Sequence, residues 1–314
     1  MYNGMRICVV VPAFNEENSV GTVVGSVPSL VDHIIVVDDA STDSTAQIVA
    51  DCAKADSRVE LVRRQRRGGV GAAVMSGHER VLQLGGDVSV VMAGDGQMDP
   101  KYLPALLDKI QAGYDYAKGN RFLAQGHLSD MPKYRILGNT LLSILAKLAS
   151  GYWNIFDHDN GYTAIRCEML RKLPLNRISQ DYNFERDMLV QLNILGARVA
   201  DVAIESRYPS RYSKIHLYTF IPKASFFLTR RFFHRIFYKY LFNDVKPFGI
   251  LFVPGFFLFL WGILYSLGLV YLRYFYPRHL SPSTGTVMIA FMPLLVGIQL
   301  LLFAFVLDVI EAPK

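Results

Sequence analysis

The sequence predicts an α/β chain with a mostly parallel sheet domain, followed by interfacial helices and two transmembrane helices. Three observations carry that expectation. Short β-branched runs alternate with helix-length stretches over the first 120 residues, the pattern of βαβ units. Composition shifts near residue 215, beyond which Phe, Leu, Val and Ile dominate. Finally, Pro247–Leu272 and Val287–Leu307 run for 26 and 21 residues without a charge, long enough to cross a hydrocarbon core.

Taken in order, Ile7–Val11, Ile34–Val37, Val59–Val62 and Val88–Met92 read as strands, with helices over Thr45–Ala55 and Gly71–Leu84 between them. From 121 to 210 the pattern is mixed: helix over Ile136–Ala149, strand over Gly161–Arg166, helix over Asn183–Leu195 and strand near Arg198–Ile204. Lys223–Asn243 then spaces Arg231, Arg235 and Lys239 four residues apart among Phe, Ile and Leu. That is the composition of a basic amphipathic helix lying in a membrane interface. The expected domains are therefore 1–214, a cytoplasmic catalytic domain; 215–246, basic interfacial helices; and 247–314, a membrane domain with spans at about 247–272 and 287–307.

Charge and cysteine content exclude several classes. Between Ser210 and Lys246 there are eight Lys/Arg against one acid, a local +7 within a chain of net +6, so the remainder carries −1. A nucleic-acid binder spreads its basic residues over the folded domain; here they precede a hydrophobic span, which points to anionic lipid and a bilayer. Positive charge N-terminal to the first span also places both termini in the cytoplasm. Cys8, Cys52 and Cys167 show no metal or disulfide spacing, so free thiols are expected. Met1–Arg6 leads only to a short apolar run closed by Pro12, so no signal peptide is expected.

Four constellations fall at the C-terminal ends of the predicted strands, where open α/β sheets bind ligands. They are Pro12-Ala13-Phe14-Asn15-Glu16-Glu17, Asp38-Asp39-Ala40-Ser41-Thr42-Asp43, Arg67-Gly68-Gly69-Val70-Gly71 and Ala93-Gly94-Asp95-Gly96-Gln97-Met98-Asp99. Strand-end carboxylates can accept hydrogen bonds from ribose hydroxyls or hold a hard divalent cation beside a diphosphate. Glycines let backbone N–H groups approach phosphates; a plain turn is the lesser alternative for Gly68–Gly71. Asp43 either belongs to the pocket or caps the helix after it.

In this order and spacing the motifs resemble the family-2 inverting glycosyltransferases of GT-A (Rossmann-like) fold, in particular the polyprenyl- and dolichyl-phosphate sugar synthases. The likeness covers about residues 6–214. It continues through Gly119-Asn120-Arg121-Phe122, Arg135 with Asn139 one turn later, Asp157–Tyr162 and Arg211-Tyr212-Ser213-Lys214. It implies a nucleotide sugar held by Pro12, Ala13, Asn15, Glu16, Asp38, Asp39, Gly69, Gly71, Ala93, Gly94 and Asp95. It implies a Mg²⁺ or Mn²⁺ ion held by Asp95 with Gln97, and catalytic roles for Asp95 and Asp157. Arg121, Arg135, Asn139, Arg211, Ser213 and Lys214 would bind the phosphate of a polyprenyl phosphate acceptor. The family usually reads D-x-D-x-Q, and Ala93 stands at the first Asp, so one donor contact is lost while Asp95 is kept. The implied activity is transfer of a hexose from a UDP- or GDP-sugar at the cytoplasmic face. The alternatives are a catalytically silent membrane scaffold or a transferase with another lipid acceptor. A homo-oligomer is compatible with the sequence, and nucleic acid is not an expected partner. No Q-x-x-R-W motif marks a processive synthase, and the first loop lacks the G-x-G-x-x-G of a dinucleotide enzyme.

Overall fold

Ile7–Ala13 (β1) is buried at every position, as an unbroken apolar run requires when a strand has neighbours on both sides. It pairs in parallel with His33–Asp38 (β2) and Val88–Val91 (β4), and β2 pairs in parallel with Val59–Arg63 (β3). Pro12, which cannot donate to a ladder, lies beyond the last β1–β4 partner pair, Val10 and Val91. In this computed structural model residues 1–123, 133–205, 217–275 and 282–313 are described; in the helices opening the second and third stretches, side chains are described from 142 and 221 onward.

Val20–Ser26 (α1), Thr45–Ala55 (α2) and Val70–Gln83 (α3) connect these strands. Leu103–Gln111 (α4) leads to Tyr116–Asn120 (β5), and Lys133–Ser150 (α5) precedes Thr163–Arg166 (β6). Cys167–Leu170 (α6), Phe184–Ile194 (α7) and Val199–Ala203 (β7) follow. The seven strands lie in the order β3-β2-β1-β4-β6-β5-β7. Only β6 runs against its neighbours β4 and β5, whereas β5 and β7 are parallel. The segment entering β6 therefore lies at the same sheet edge as the C-terminal ends of β1, β2, β4 and β5. Alternation along β1 splits the core: Ile7, Val9 and Val11 pack with Val20, Leu103 and Leu106, while Cys8 and Val10 pack with Ala73 and Leu189.

Thr45–Ala55 forms as the sequence predicts, and the other expected elements shift by one to three residues, except the helix expected over Lys223–Asn243, whose α-helical part runs six residues earlier, Leu217–Phe237. The sequence reading missed α1, α4 and β5, and the single turn α6. Their short lengths and mixed composition (VGTVVGS, LPALLDKIQ, YAKGN) carry little periodicity. Cys8, Cys52 and Cys167 are free.

The chain divides into two compact units, Met1–Phe232 and Phe233–Ala312. Leu217–Phe237 (α8) crosses this division and ends in a π-helical turn, Tyr238–Phe242. Within the first unit, Ala224 and Leu228 of α8 pack on Leu142, Ala146 and Val190. The second unit contains Pro247–Phe275 (α9) and Thr284–Ile310 (α10), both long and apolar enough to cross a membrane. A Cβ built at Gly255 would lie 2.9 Å from Leu300 Cβ, and one at Gly262 would lie 2.7 Å from Leu294 Cβ. The falling partner numbers define an antiparallel hairpin whose small residues let the backbones approach.

One expectation is corrected here. Arg231, Arg235 and Lys239 do not form an outward basic stripe. Arg231 binds Asp187 in the first unit. In the second unit Arg235 is fully buried, its Nη1 and Nη2 donating to Asp308 at 2.6 and 2.9 Å, and Tyr240 Oη donates to the same carboxylate. Lys239 is also buried. The four-residue spacing was real, but it marks an inward face: guanidinium groups can be buried when a carboxylate neutralises them. Lys223, Arg230, Phe226, Phe233, Phe237 and Phe242 are among the exposed residues of this segment.

Candidate active site

The loops after β1 and β2 are tied to each other. Asn15 takes a left-handed backbone (φ 56°), as does Ala40 (φ 60°), an uncommon conformation for a residue with a Cβ. The Asn15 N–H donates to Ser41 Oγ at 3.0 Å, and Asn15 Oδ1 accepts from the Thr42 N–H at 2.9 Å. Glu16 N–H donates to Thr45 Oγ1, and Glu17 accepts from the Ser44 N–H. Asp43 Oδ1 accepts from both the N–H and Oγ1 of Thr45, so it holds the start of α2. Asp38 is fully buried. Its Oδ1 accepts from the Ser41 N–H, while Oδ2 has no hydrogen-bond partner and sits 3.5 Å from Arg63 Nε.

Asp39 is committed differently. It accepts from the N–H groups of Gly68 and Gly69 and from Arg64 Nη1 at 2.6 Å. It thereby anchors the glycine-rich loop to β2. The glycines themselves make a close approach to protein. A Cβ at Gly69 (φ 95°) would lie 2.7 Å from the Gln180 carbonyl, and one at Gly71 2.5 Å from the Ser179 carbonyl. The Ala72 N–H donates to that Gln180 carbonyl. Gly69 and Gly71 are thus required by packing against 179–181, a reason that the sequence reading, which assigned them to phosphate, did not contain.

After β4, Asp95 Oδ1 accepts from the Gln97 N–H at 3.0 Å, an Asx turn that presents the loop outward. Gly94 donates its N–H to the Pro12 carbonyl, fixing the first and fourth loops side by side. A cavity of about 280 Å³ opens here, lined by Pro12, Ala93, Asp95 and Gln97 on one side and by Arg121, Asp159, Asn160 and Glu185 on the other. Val70, Val74, Val91, Phe184 and Ile204 supply apolar wall, with Tyr182 at 80% exposure. Ala13, Asn15, Glu16, Asp38, Asp39, Gly69, Gly71, Gly94 and Asp157 do not line it.

The second wall is built from ion pairs. Arg121 donates from its backbone N–H, Nε and Nη2 to Asp157 at 3.1, 2.7 and 2.9 Å. The sequence reading gave these two residues separate roles; the structure pairs them. Burial alone would raise the Asp157 pKa, but the Arg121 hydrogen bonds and charge, with Lys118 nearby, hold it below the usual carboxylate range. Arg186 binds Asp159 with both Nε and Nη2, at 2.6 and 2.8 Å. Lys118, fully buried in β5, donates to the Asn160 carbonyl, and burial lowers its pKa. Burial likewise pushes the Glu185 carboxyl up to about 8 against the pull of Lys118. Lys118, Arg186 and Glu185 were missed in the sequence. The available signal was a lone Lys inside the strand YAKGN, whereas Glu185 read as an ordinary acid in the first turn of a helix.

Arg135 and Asn139 lie on α5, where their side chains are outside the described residues, as are Arg211, Ser213 and Lys214 entirely. Among the described residues no cluster of three or more His, Cys, Asp or Glu could hold a metal ion on its own.

Residues 8–174 match the family described as Glycosyl transferase family 2. The chain is 34% identical over 205 residues to a polyprenol monophosphomannose synthase of Mycolicibacterium smegmatis, covering 63% of this chain and 76% of that protein. It is 32% identical over 203 residues to an undecaprenyl-phosphate mannosyltransferase of Micrococcus luteus, covering 64% and 83%. Its fold matches glucosyl-3-phosphoglycerate synthase of Mycobacterium tuberculosis, solved with Mn²⁺, UDP-glucose and phosphoglyceric acid, at a TM-score of 0.55 and 23% identity over 78% of this chain and 82% of that one. The mostly parallel seven-stranded sheet is of the GT-A type, and the chain belongs to glycosyl transferase family 2.

Proposed function

We propose that the chain transfers a hexose from a UDP- or GDP-sugar to a polyprenyl phosphate by one inverting displacement at the cytoplasmic membrane face. The observation that carries this reading is the cavity at the β1/β4 edge, where the Asp95 loop faces Arg121 across about 280 Å³. The names of the two relatives support the lipid phosphate acceptor. The acceptor phosphate oxygen forms a bond to the anomeric carbon as the bond from that carbon to the departing nucleoside diphosphate breaks. A phosphate is already anionic near neutral pH, so no strong general base is needed.

A single carboxylate with an adjacent amide fits a hard divalent cation that draws its other ligands from a diphosphate and water. Asp95 and Gln97 would hold Mg²⁺ or Mn²⁺ in this way, and the solved neighbour holds Mn²⁺ with UDP-glucose. Such an ion neutralises charge building on the leaving group. Asp38 keeps one buried carboxylate oxygen without a hydrogen-bond partner, an acceptor for an N–H or hydroxyl of the nucleoside. Asn15, Glu16, Asp39, Gly69 and Gly71 shape the loops around it. Arg121, Arg135, Asn139, Arg211, Ser213 and Lys214 would receive the acceptor phosphate, with Asp157 positioning Arg121. Residues 1–214 would be the cytoplasmic catalytic domain, 215–246 an interfacial segment, and the helices at 247–272 and 287–307 the membrane spans.

The deciding experiment incubates the purified chain with a panel of UDP- and GDP-sugars and undecaprenyl phosphate, with and without chelator. Lipid-linked sugar formed only in the absence of chelator is the expected result. No transfer from any donor would favour the silent scaffold that Ala93 suggests. A cysteine at Ser283 should react with an impermeant thiol reagent in intact cells and one at Ser57 should not; the reverse pattern overturns the orientation.

A further inference from the structure

Four carboxylates line the cavity, and three are already engaged. Asp159 is held by Arg186, Glu205 by Lys101 at 2.8 Å, and Asp95 turns one oxygen to the Gln97 N–H. Glu185, on the first turn of α7, lines the same cavity. Among the described residues no side chain hydrogen-bonds to its carboxyl, which has its own backbone N–H beside it and, at longer range, the Lys118 charge. A half-buried carboxyl with no side-chain partner has hydrogen-bonding capacity left for a ligand.

The surroundings specify that ligand. Gly161 lies directly beside the carboxyl: a Cβ built there would lie 3.4 Å from both Glu185 Oε1 and Met98 Cε. The adjoining wall is apolar (Val74, Val91, Phe184), with Tyr182 exposed at the rim. An apolar face joined to a few convergent polar groups suits a pyranose, which has C–H faces and hydroxyl edges. Burial favours the protonated carboxyl, pushed up to about 8, and a carboxylic acid both donates and accepts, as a sugar hydroxyl does. We propose that Glu185 reads a hydroxyl of the transferred sugar and so sets which hexose the chain accepts. The inference rests on the transferase reading above and adds a specificity residue to it.

The test uses the full chain in detergent, comparing wild type, Glu185→Ala and Glu185→Gln with one active donor and a panel of its monodeoxy analogues. Glu185→Ala should lose about ten- to a hundredfold in donor kcat/KM, while nucleoside diphosphate binds with unchanged Kd. Glu185→Gln, which can still donate and accept, should recover most of the loss. At one deoxy position wild type should fall to the level of Glu185→Ala, and that variant should fall no further. If Glu185→Ala keeps its donor kcat/KM, or loses nucleoside diphosphate binding in equal measure, the role of Glu185 is refuted and the transferase reading stands. If wild type transfers no sugar at all, the transferase reading fails and this role fails with it.

Discussion

The two walls of the cavity are both acidic, yet their acids are neutralised by different means. On the side formed after β1, β2 and β4, Asp95 lines the cavity and accepts a backbone N–H from its own loop, while Asp38, Asp39 and Asp43 outside the lining accept backbone N–H groups, Asp39 together with the Arg64 guanidinium. On the wall formed by β5, the segment before β6 and α7, Asp157 and Asp159 are held bidentately by Arg121 and Arg186. At Asp95 the backbone donor fixes loop shape without cancelling charge, so that side of the cavity stays electronegative and suits a cation. Paired guanidiniums leave the second wall near neutral and able to turn toward an anion. The difference matches the two charges the proposed reaction must manage.

The largest test of that contrast falls on Asp95. Asp95→Asn keeps the loop's hydrogen bond to Gln97 but removes the charge, and kcat should drop at least about a hundredfold. Full activity in this variant would place the cation elsewhere. Asp39→Ala should act on folding instead, since it strips partners from Gly68, Gly69 and Arg64. A loss of about 3 kcal/mol in denaturant unfolding is expected, and a change below about 0.5 kcal/mol would mean the glycine loop holds itself.

The second wall is tested with a cycle. Arg121→Ala alone leaves Asp157, 1% exposed, as an uncompensated charge and should cost about 2–3 kcal/mol. Arg121→Ala with Asp157→Ala should recover at least half of that loss, a coupling that additive behaviour would rule out. The smallest effect supplies the background. His78, on the buried face of α3 with its Nδ1 2.8 Å from Ser89 Oγ, belongs to neither wall, and burial lowers its pKa to about 4. The unfolded chain binds this proton below about 6.5, so stability is full above that pH and falls as pH drops toward 4. The loss is about 2 kcal/mol at pH 5. Thermal melts of wild type and His78→Gln from pH 7 to 4 should converge as pH falls; parallel curves would remove His78 as the cause.

The two walls also differ in how far the sequence exposes them. The first wall was legible because each loop is contiguous and follows a β-branched strand, so residue type and position arrive together. Even there, the sequence could not separate Asp38, with its partnerless oxygen, from Asp39, which is consumed by the glycine loop. The second wall depends on partners far apart in the chain: Arg121 with Asp157, Asp159 with Arg186, Lys118 with Asn160. None of these pairs follows a helical or strand period. Strand β5 was missed because YAKGN buries a lysine, which reads as a surface residue until its carbonyl partner is known. The basic stripe of α8 failed for a related reason: charge spacing gives a face, and Asp308 in a distant helix decides that Arg235 turns inward.

The antiparallel strand β6 has a consequence for how the chain emerges from a ribosome. It lies between β4 and β5 but is synthesised after both, with α4 and α5 still to be made when β4 appears. Strands β1 to β4 can therefore pair as a four-stranded block while β4 keeps an unpaired flank. Such a flank recruits other chains. Strand β5 finds no neighbour until β6 or β7 arrives, so sheet closure is a long-range and slow event. The interval between completion of β4 and emergence of β6 is when a nascent chain is most open to aggregation, and a slow codon placed there prolongs it.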